Sequence, residues 1–191
     1  MSPRDRQPLF TTRELAILGL LAALVALSKA LLRMPLHVPG HSGLTWMAIL
    51  LVSRALVRRP GAGTLVGLVS GLLAVMIVGG REGLLVWVKY LAPGMIMDLG
   101  ALLSGERLHH PLVGIIVGAA ANVAKLTASL IISLLLGIPA GYIALGLGLA
   151  ATTHLVFGAI GGWLGALVVR SLWRLHLPSA TLLAPESRRS V

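Results

Sequence analysis

The sequence predicts an all-α membrane protein, a bundle of six transmembrane helices with both termini in the cytoplasm. The first observation is composition: 57% of the 191 residues are hydrophobic and 12% are charged, whereas a soluble domain carries about 25% charged residues. The second is pattern, because six apolar runs alternate with short polar connectors. A helix needs about 20 apolar residues to cross the hydrocarbon core, so six crossings use nearly the whole chain.

Proline, glycine and arginine set the predicted helix ends. Met34-Pro35 closes the first run, Arg58-Arg59-Pro60-Gly61 the second, Gly79-Gly80 the third and Gly137-Ile138-Pro139 the fifth. The second run is short enough for a tilted or partly re-entrant segment, and Pro93-Gly94 predicts a kink within the fourth. We therefore predict spans over 15–32, 44–57, 64–78, 84–103, 112–136 and 142–169. They form one domain over 13–175, between a cytoplasmic segment, 1–12, and a disordered cytoplasmic tail, 176–191.

The positions of the basic residues predict the orientation. Eleven of the 16 lysines and arginines fall on one side of the predicted bundle, which the positive-inside rule places in the cytoplasm. The net charge of +10 is therefore interpreted as a topology signal, and no nucleic-acid partner is expected. These eleven are Arg4, Arg6, Arg13, Arg54, Arg58, Arg59, Arg107, Arg170, Arg174, Arg188 and Arg189.

Ionisable residues inside the spans are the first candidates for function, because charges at membrane depth are costly. Lys29, Lys89, Asp98, Lys125 and His154 are such residues. The excess of cations suggests a ligand with a carboxylate, a phosphate or electron-rich heteroatoms. The structural alternative is that Lys29 extends to the interface and that Asp98 pairs with Lys125.

Aromatic and loop residues complete a predicted pocket in the outer half of the bundle, while Arg33, Trp46 and Arg81 are assigned to the membrane interface. His37 and His41 have Pro39-Gly40 between them, so no metal site is predicted, although metal binding there stays open. The predicted substrate-binding residues are Lys29, His37, His41, Glu82, Trp87, Lys89, Tyr90, Asp98, Asn122, Lys125, Tyr142 and His154.

Missing motifs argue against catalysis and nucleotide binding in this chain. The sequence has no cysteine, no Gly-x-x-x-x-Gly-Lys-[Ser/Thr] loop, no His-Glu-x-x-His and no Gly-x-Ser-x-Gly. We predict no enzyme activity, no catalytic residues and no cofactor in this chain. If the protein moves a solute uphill, a partner must supply the energy. Two alternatives stay open: an intramembrane lipid-modifying enzyme with His154 and Asp98 as acid and base, and a structural membrane assembly subunit.

Small residues form stripes at four-residue spacing on several predicted helices. Ala22, Ala26 and Ala30 lie on one face of the first, and a neighbouring helix could approach that face closely. Gly63, Gly67 and Gly71 repeat the spacing in the third helix, and Gly161 and Gly165 in the sixth. For the glycines, packing within the bundle is an equally good interpretation.

Together these features resemble the substrate-binding S component of energy-coupling factor (ECF) vitamin transporters. Ala22, Ala26 and Ala30 resemble the family's alanine motif, which docks the coupling helices of the transmembrane T component. The Arg58-Arg59-Pro60-Gly61 stretch, Val78-Gly79-Gly80 and the Pro93–Asp98 segment are most similar to the branch associated with thiamine or its hydroxymethylpyrimidine precursor. That branch has glutamine and glutamate where this chain has Pro93 and Asp98, so the vitamin stays open.

The resemblance implies a substrate-capture subunit of an ABC importer in a prokaryotic plasma membrane. It would bind a small vitamin-like molecule, either thiamine-related or an anionic heterocycle, in an outward-facing pocket. Its partners would be the T component and two ATPase subunits, which would use ATP.

Overall fold

The computed structural model describes residues 9–31, 39–78 and 85–175, and within them the chain forms six α-helices. Their bounds agree with the predicted spans to within a few residues, apart from a longer sixth helix. The predictions for residues 1–8, His37, Glu82 and the tail 176–191 lie outside the described residues, as does the side chain of Lys29. The helices are α1 (Thr12–Leu31), α2 (Gly43–Leu56), α3 (Ala62–Val78), α4 (Val86–Leu103), α5 (Pro111–Leu135) and α6 (Ala140–Arg174).

Helix α2 occupies the centre of the bundle, where it contacts each of the other five helices. Its side chains Met47, Leu50 and Leu51 have no exposed surface. At 14 residues it is about 21 Å long, shorter than the roughly 30 Å hydrocarbon core. A short helix is acceptable at this position because protein surrounds it.

Glycines allow two helix pairs to approach closely. The α3 residues Gly63, Gly67 and Gly71 face α4, where an added Cβ at Gly63 would lie 2.9 Å from the carbonyl oxygen of Gly94. Gly94 therefore brings the Pro93-Gly94 segment against α3, and α4 continues through Pro93 as one helix. At such crossings small residues allow the backbones of the two helices to touch, because no large side chain lies between them.

The α5–α6 pair has the same kind of contact, and α6 also packs on α2. A Cβ at Gly158 would lie 2.6 Å from the carbonyl oxygen of Gly118, and a Cβ at Gly161 would lie 2.5 Å from that of Leu44. A Cβ at Gly165 would be 2.9 Å from the carbonyl oxygen of Ala48. The predicted glycine stripes therefore pack within this bundle.

The alanine stripe also faces inward in this structure, while its role as a docking surface stays a prediction. Ala22 and Ala26 are 0% and 1% exposed, so a partner helix cannot reach them in this conformation. Leu20, Leu24 and Leu27 are exposed on the same helix. The four-residue spacing of the alanines indicated a smooth helix face but not which helix would pack on it. The side chain of Ala30 lies outside the described residues.

A buried arginine ties together the end of α2, the start of α3 and the end of α4. Arg54 is 1% exposed, and its Nη1 donates to Oε2 of Glu106 over 2.9 Å while Nη2 bonds the other carboxylate oxygen. Its Nε lies 2.8 Å from Oδ1 of Asp98, close enough for an ion pair but not aligned as a hydrogen bond. We call this side of the bundle the Arg54 end.

Asp98 also caps α3. Its carboxylate accepts the backbone N–H groups of Gly63 and Thr64 over 3.1 and 2.7 Å, and the hydroxyl of Thr64 over 2.6 Å. The first N–H groups of a helix have no partner within the helix, and a negative charge there is favourable. The proposed Asp98–Lys125 pair is therefore wrong, because Arg54 and the start of α3 bind Asp98.

The exterior of the described bundle is apolar. Leu20, Met76, Leu103 and Leu145 are each more than 70% exposed, an arrangement suited to lipid and unfavourable in water. Helices α4, α5 and α6 are long and apolar enough to cross a membrane, while α2 and α3 are shorter apolar helices. These features fit a membrane protein, and the six crossings and the cytoplasmic termini stay predictions.

Replacing Gly158 by alanine should destabilise the bundle, because the new methyl group would press on the backbone of α5. We expect a loss of about 1–3 kcal/mol, the usual cost of overpacking, measured as a lower thermal unfolding temperature of the detergent-solubilised protein. Gly148→Ala is the matched control, since a Cβ there meets nothing within 4 Å. Equal destabilisation by both substitutions would contradict the close crossing.

Asp98→Ala should be more damaging, because it removes the cap of α3 and one counter-ion of a buried arginine. We expect a loss of about 3 kcal/mol, as is typical when one partner of a buried ion pair is removed. Thermal unfolding followed by size-exclusion chromatography would measure it. Thr127→Ala, which removes an exposed hydroxyl, should leave the unfolding temperature unchanged, and a similarly small effect of Asp98→Ala would refute the structural role.

Candidate functional site

Polar and aromatic side chains converge at the opposite end of α2. We call Ser42, Trp46, Tyr90, Asn122, Lys125 and His154 the Trp46 cluster. They come from the start of α2, the early part of α4, the later part of α5 and the middle of α6. Four chain segments therefore contribute to one site.

Lys125 is the charged member of the cluster. Its ammonium group donates a 2.9 Å hydrogen bond to Oγ of Ser42 and lies 4.6 Å above the ring of Trp46. The ring centroids of Trp46 and Tyr90 are 4.4 Å apart, with an interplanar angle of 47°. A cation over an indole face is favourable, so the ring of Trp46 and the hydroxyl of Ser42 together hold the ammonium group in place.

Asn122 and His154 join α5 to α6 beside the lysine. The amide Nδ2 of Asn122 donates to the backbone carbonyl of His154 over 2.7 Å. Nδ1 of His154 lies 2.8 Å from the carbonyl oxygen of Ala150, and a carbonyl can only accept, so Nδ1 carries the proton. Asn122 and Lys125 share a face of α5 because they are three residues apart.

The turn before α2 packs closely against His154 through Gly40. Gly40 has a φ of 80°, and a Cβ there would lie 2.8 Å from Nδ1 of His154. Only glycine satisfies both the left-handed backbone and the close contact without strain. The turn thereby carries His41 and Ser42 to the edge of the cluster.

Two buried polar atoms of the cluster have no hydrogen-bond partner among the described residues: Nε1 of Trp46 and Oδ1 of Asn122. An indole N–H donates and an amide oxygen accepts. Leaving such atoms unpaired costs about 1–3 kcal/mol each. The cluster therefore combines an unpaired donor and an unpaired acceptor with a cation and two aromatic rings.

The structure brings together four of the predicted binding residues, namely Tyr90, Asn122, Lys125 and His154. Trp87 lies one turn before Tyr90 and also packs on α3 at Gly71. Lys89 and His41 are half-buried nearby in the chain. Among the described residues, no group of three or more histidine, cysteine or acidic side chains could hold a metal ion.

Two predicted site residues lie elsewhere. Tyr142 is 74% exposed in the first turn of α6 and does not form a wall of the cluster in this structure. Asp98 lies at the Arg54 end, where it binds α3 and Arg54. Its position near the middle of an apolar run suggested a pocket residue, but the staggered ends of α3 and α4 place it beside a helix terminus.

The same geometry argues against the alternative enzyme. His154 packs against Gly40, just before α2, whereas Asp98 contacts Arg54 in the last turn of α2. Gly43 and Arg54 are eleven positions apart, which corresponds to about 16 Å along a helix. The two groups therefore do not act together as an acid–base pair in this structure.

Sequence reasoning missed three residues that the structure makes important: Ser42, Arg54 and Trp46. Trp46 is 4% exposed, although a tryptophan near the end of an apolar run is typical of the membrane interface. Arg54 had been counted only as a topology signal. Its place within the last turn of α2, ahead of Arg58 and Arg59, was a possible sign of burial.

A second aromatic cluster lies at the Arg54 end. The guanidinium carbon of Arg58 is 4.4 Å from the ring centroid of Trp173, and the ring of His109 is also 4.4 Å from it. His109 belongs to the loop between α4 and α5. Burial lowers the pKa of His109, and the positive charges of Arg58, His110, Arg170 and Arg107 lower it further.

The fold matches a solved structure described as "Crystal structure of an S-component of ECF transporter". The TM-score is 0.66, the match covers 90% of this chain and 89% of that chain, and the sequences are 18% identical. At this identity the match shows a shared fold. No protein-family model matches the sequence, and no curated protein matches it.

The resemblance found in the sequence is therefore confirmed at the level of the fold. The chain has the fold of a solved structure described as an S-component of an ECF transporter. The thiamine branch stays a prediction.

The lowered pKa of His109 predicts a loss of stability on mild acidification. The folded protein binds this proton more weakly than the unfolded chain, whose histidine titrates near 6.5. The stability that depends on neutral His109 is therefore fully present above pH 6.5 and is lost as the pH falls below that value. Thermal unfolding between pH 7.5 and 5.5 should show a smaller decrease for His109→Phe, which keeps the ring contact, and equal decreases would contradict the assignment.

Proposed function

We propose that this chain is the substrate-capture subunit of an ECF-type importer and binds a small water-soluble vitamin or precursor at the Trp46 cluster. Three observations support the proposal: the S-component fold, the apolar helices that suit a bilayer, and a polar aromatic cluster at one end of the bundle. The observation that carries it is Lys125 over the ring of Trp46, beside two buried polar atoms without partners. Such atoms are costly unless a ligand engages them.

The chemistry of the cluster favours a particular kind of substrate. Trp46 and Tyr90 would contact the faces of a flat ring, Nε1 of Trp46 would donate to a ring heteroatom, and Oδ1 of Asn122 would accept from an amino or hydroxyl group. Lys125 would attract a carboxylate, a phosphate or an electron-rich nitrogen and would repel a fixed cation. A neutral pyrimidine precursor or an anionic heterocycle therefore fits better than a thiazolium.

The proposal includes partners, since the described part of the chain holds no nucleotide-binding loop. A T component and two ATPases would supply the energy for transport. On α1 the surface open to a T component includes Leu20, Leu24 and Leu27, whereas Ala22 and Ala26 are buried. Docking through the alanines would require α1 to move away from the bundle.

Lys125→Met should weaken substrate binding strongly, because it removes the cation while keeping a long apolar side chain over Trp46. The ligand would first be identified by mass spectrometry of small molecules that co-purify in detergent. Its affinity would then be measured by tryptophan fluorescence or calorimetry across a panel of pyrimidines, thiamine and anionic heterocycles. A charged hydrogen bond lost on substitution costs about 1.5–3 kcal/mol, so the affinity should fall by about 10- to 150-fold.

Two matched variants sharpen the result. Trp46→Phe keeps an aromatic face but removes the N–H, so it should weaken binding less than Lys125→Met. Tyr142→Phe alters an exposed ring and should leave the affinity unchanged. Absence of binding by every compound in the panel, with Lys125→Met folded like the wild type, would favour a structural assembly subunit.

A further inference from the structure

Three arginines gather around the loop that precedes α5, at the Arg54 end. Arg58 follows α2, Arg107 belongs to the α4–α5 loop and Arg170 lies in the last turns of α6. All three are exposed, and the charge of each acts on His109. Three separate segments thus concentrate positive charge at one place, which we call the arginine patch.

No acidic residue within the described ranges pairs with an arginine of this patch. Those ranges contain three acids, and each binds an arginine outside the patch: Glu14 pairs with Arg59, and both Asp98 and Glu106 pair with Arg54. Arg58, Arg107 and Arg170 form no ion pair with any described residue. Their charges therefore remain available to an external anion.

The patch also contains an anion-binding helix end and a membrane-interface aromatic. Helix α5 starts at Pro111 after the N-cap residue His110, has no acidic residue in its first turn and has no side-chain cap hydrogen bond. The positive end of its dipole and its first N–H groups therefore reinforce the arginines. Trp173, which contacts both Arg58 and His109, is a residue type enriched at the depth of lipid headgroups.

Apolar surface continues from the patch along α5. Leu112 and Ile116 are 63% and 67% exposed, and their four-residue spacing places them on one face of the helix. A soluble anion would use only the charged part of this surface. A phospholipid would use both parts, because its phosphate and its acyl chains are joined.

We propose that Arg58, Arg107 and Arg170 form a headgroup site for one anionic phospholipid. The lipid phosphate would lie at the start of α5 between the arginine side chains, and an acyl chain would follow Leu112 and Ile116. Basic sites between transmembrane helices commonly bind acidic headgroups in this way. The site is separate from the Trp46 cluster and does not depend on the transported substrate.

Native mass spectrometry of the detergent-purified chain, titrated with phosphatidylglycerol or phosphatidylcholine, would test the site. We expect one phosphatidylglycerol to be retained in preference to phosphatidylcholine. The variant Arg58→Gln/Arg107→Gln/Arg170→Gln should weaken its binding about a hundredfold, since each basic residue near a membrane surface contributes about 1 kcal/mol to acidic-lipid attraction. Arg107→Gln/Arg170→Gln, which keeps the Arg58–Trp173 contact, should show an intermediate loss with unchanged thermal unfolding.

The control variant Arg13→Gln/Lys89→Gln removes the same net charge as Arg107→Gln/Arg170→Gln, but from α1 and from the first turns of α4, and should leave phosphatidylglycerol binding unchanged. An equal loss in the control would overturn the proposal in favour of general electrostatic attraction. Equal binding of the two lipids would also overturn it. Displacement of the lipid by millimolar inorganic phosphate would instead indicate a soluble-anion site.

Discussion

The buried guanidinium of Arg54 is the constraint on which the arrangement of the bundle depends. A charge taken out of water is costly unless it is paired and hydrogen-bonded, and Arg54 meets that requirement only where α2, α4 and the α4–α5 loop come together. The carboxylate of Asp98 also accepts hydrogen bonds from the first backbone N–H groups of α3. One ion pair thereby fixes the end of α2, the start of α3 and the end of α4, and other geometries would leave a buried charge or a helix terminus without a partner.

Because α2 is a single rigid helix, fixing its last turn also fixes its first. The start of α2 carries Ser42 and Trp46, and the contacts of Lys125 depend on where these two residues lie. Backbone contact between Gly161 and the first turn of α2 sets its distance from α6. The Trp46 cluster is therefore positioned by contacts on both ends of one short helix, so substitutions at Arg54 should disturb ligand binding as well as stability.

Much of the fold could be predicted because helix ends and small-residue spacing are local properties of the sequence. Pro139, Gly61 and the arginines after α2 mark termini wherever the helices pack. Which charged side chains pair is not a local property. The sequence allowed an ion pair between Asp98 and Lys125, but Arg54 binds Asp98 instead. Arg54 lies on a helix whose position could not be predicted without tertiary contacts. The neighbour of the alanine stripe could not be predicted for the same reason, because a smooth helix face fits this bundle and a foreign helix equally well.

The two ends of the bundle are held with different strength, and this difference bears on how a substrate could enter. The Arg54 end combines ion pairs with charged caps, whereas the Trp46 end is held across α2, α5 and α6 by the Lys125–Ser42 and Asn122–His154 hydrogen bonds and by glycine contacts. Charged contacts buried at one end resist separation more than single hydrogen bonds at the other. Local opening should therefore begin between the start of α2 and the polar face of α5, where Lys125 could exchange Ser42 for a ligand oxygen without disturbing the ion pairs that hold the rest of the bundle.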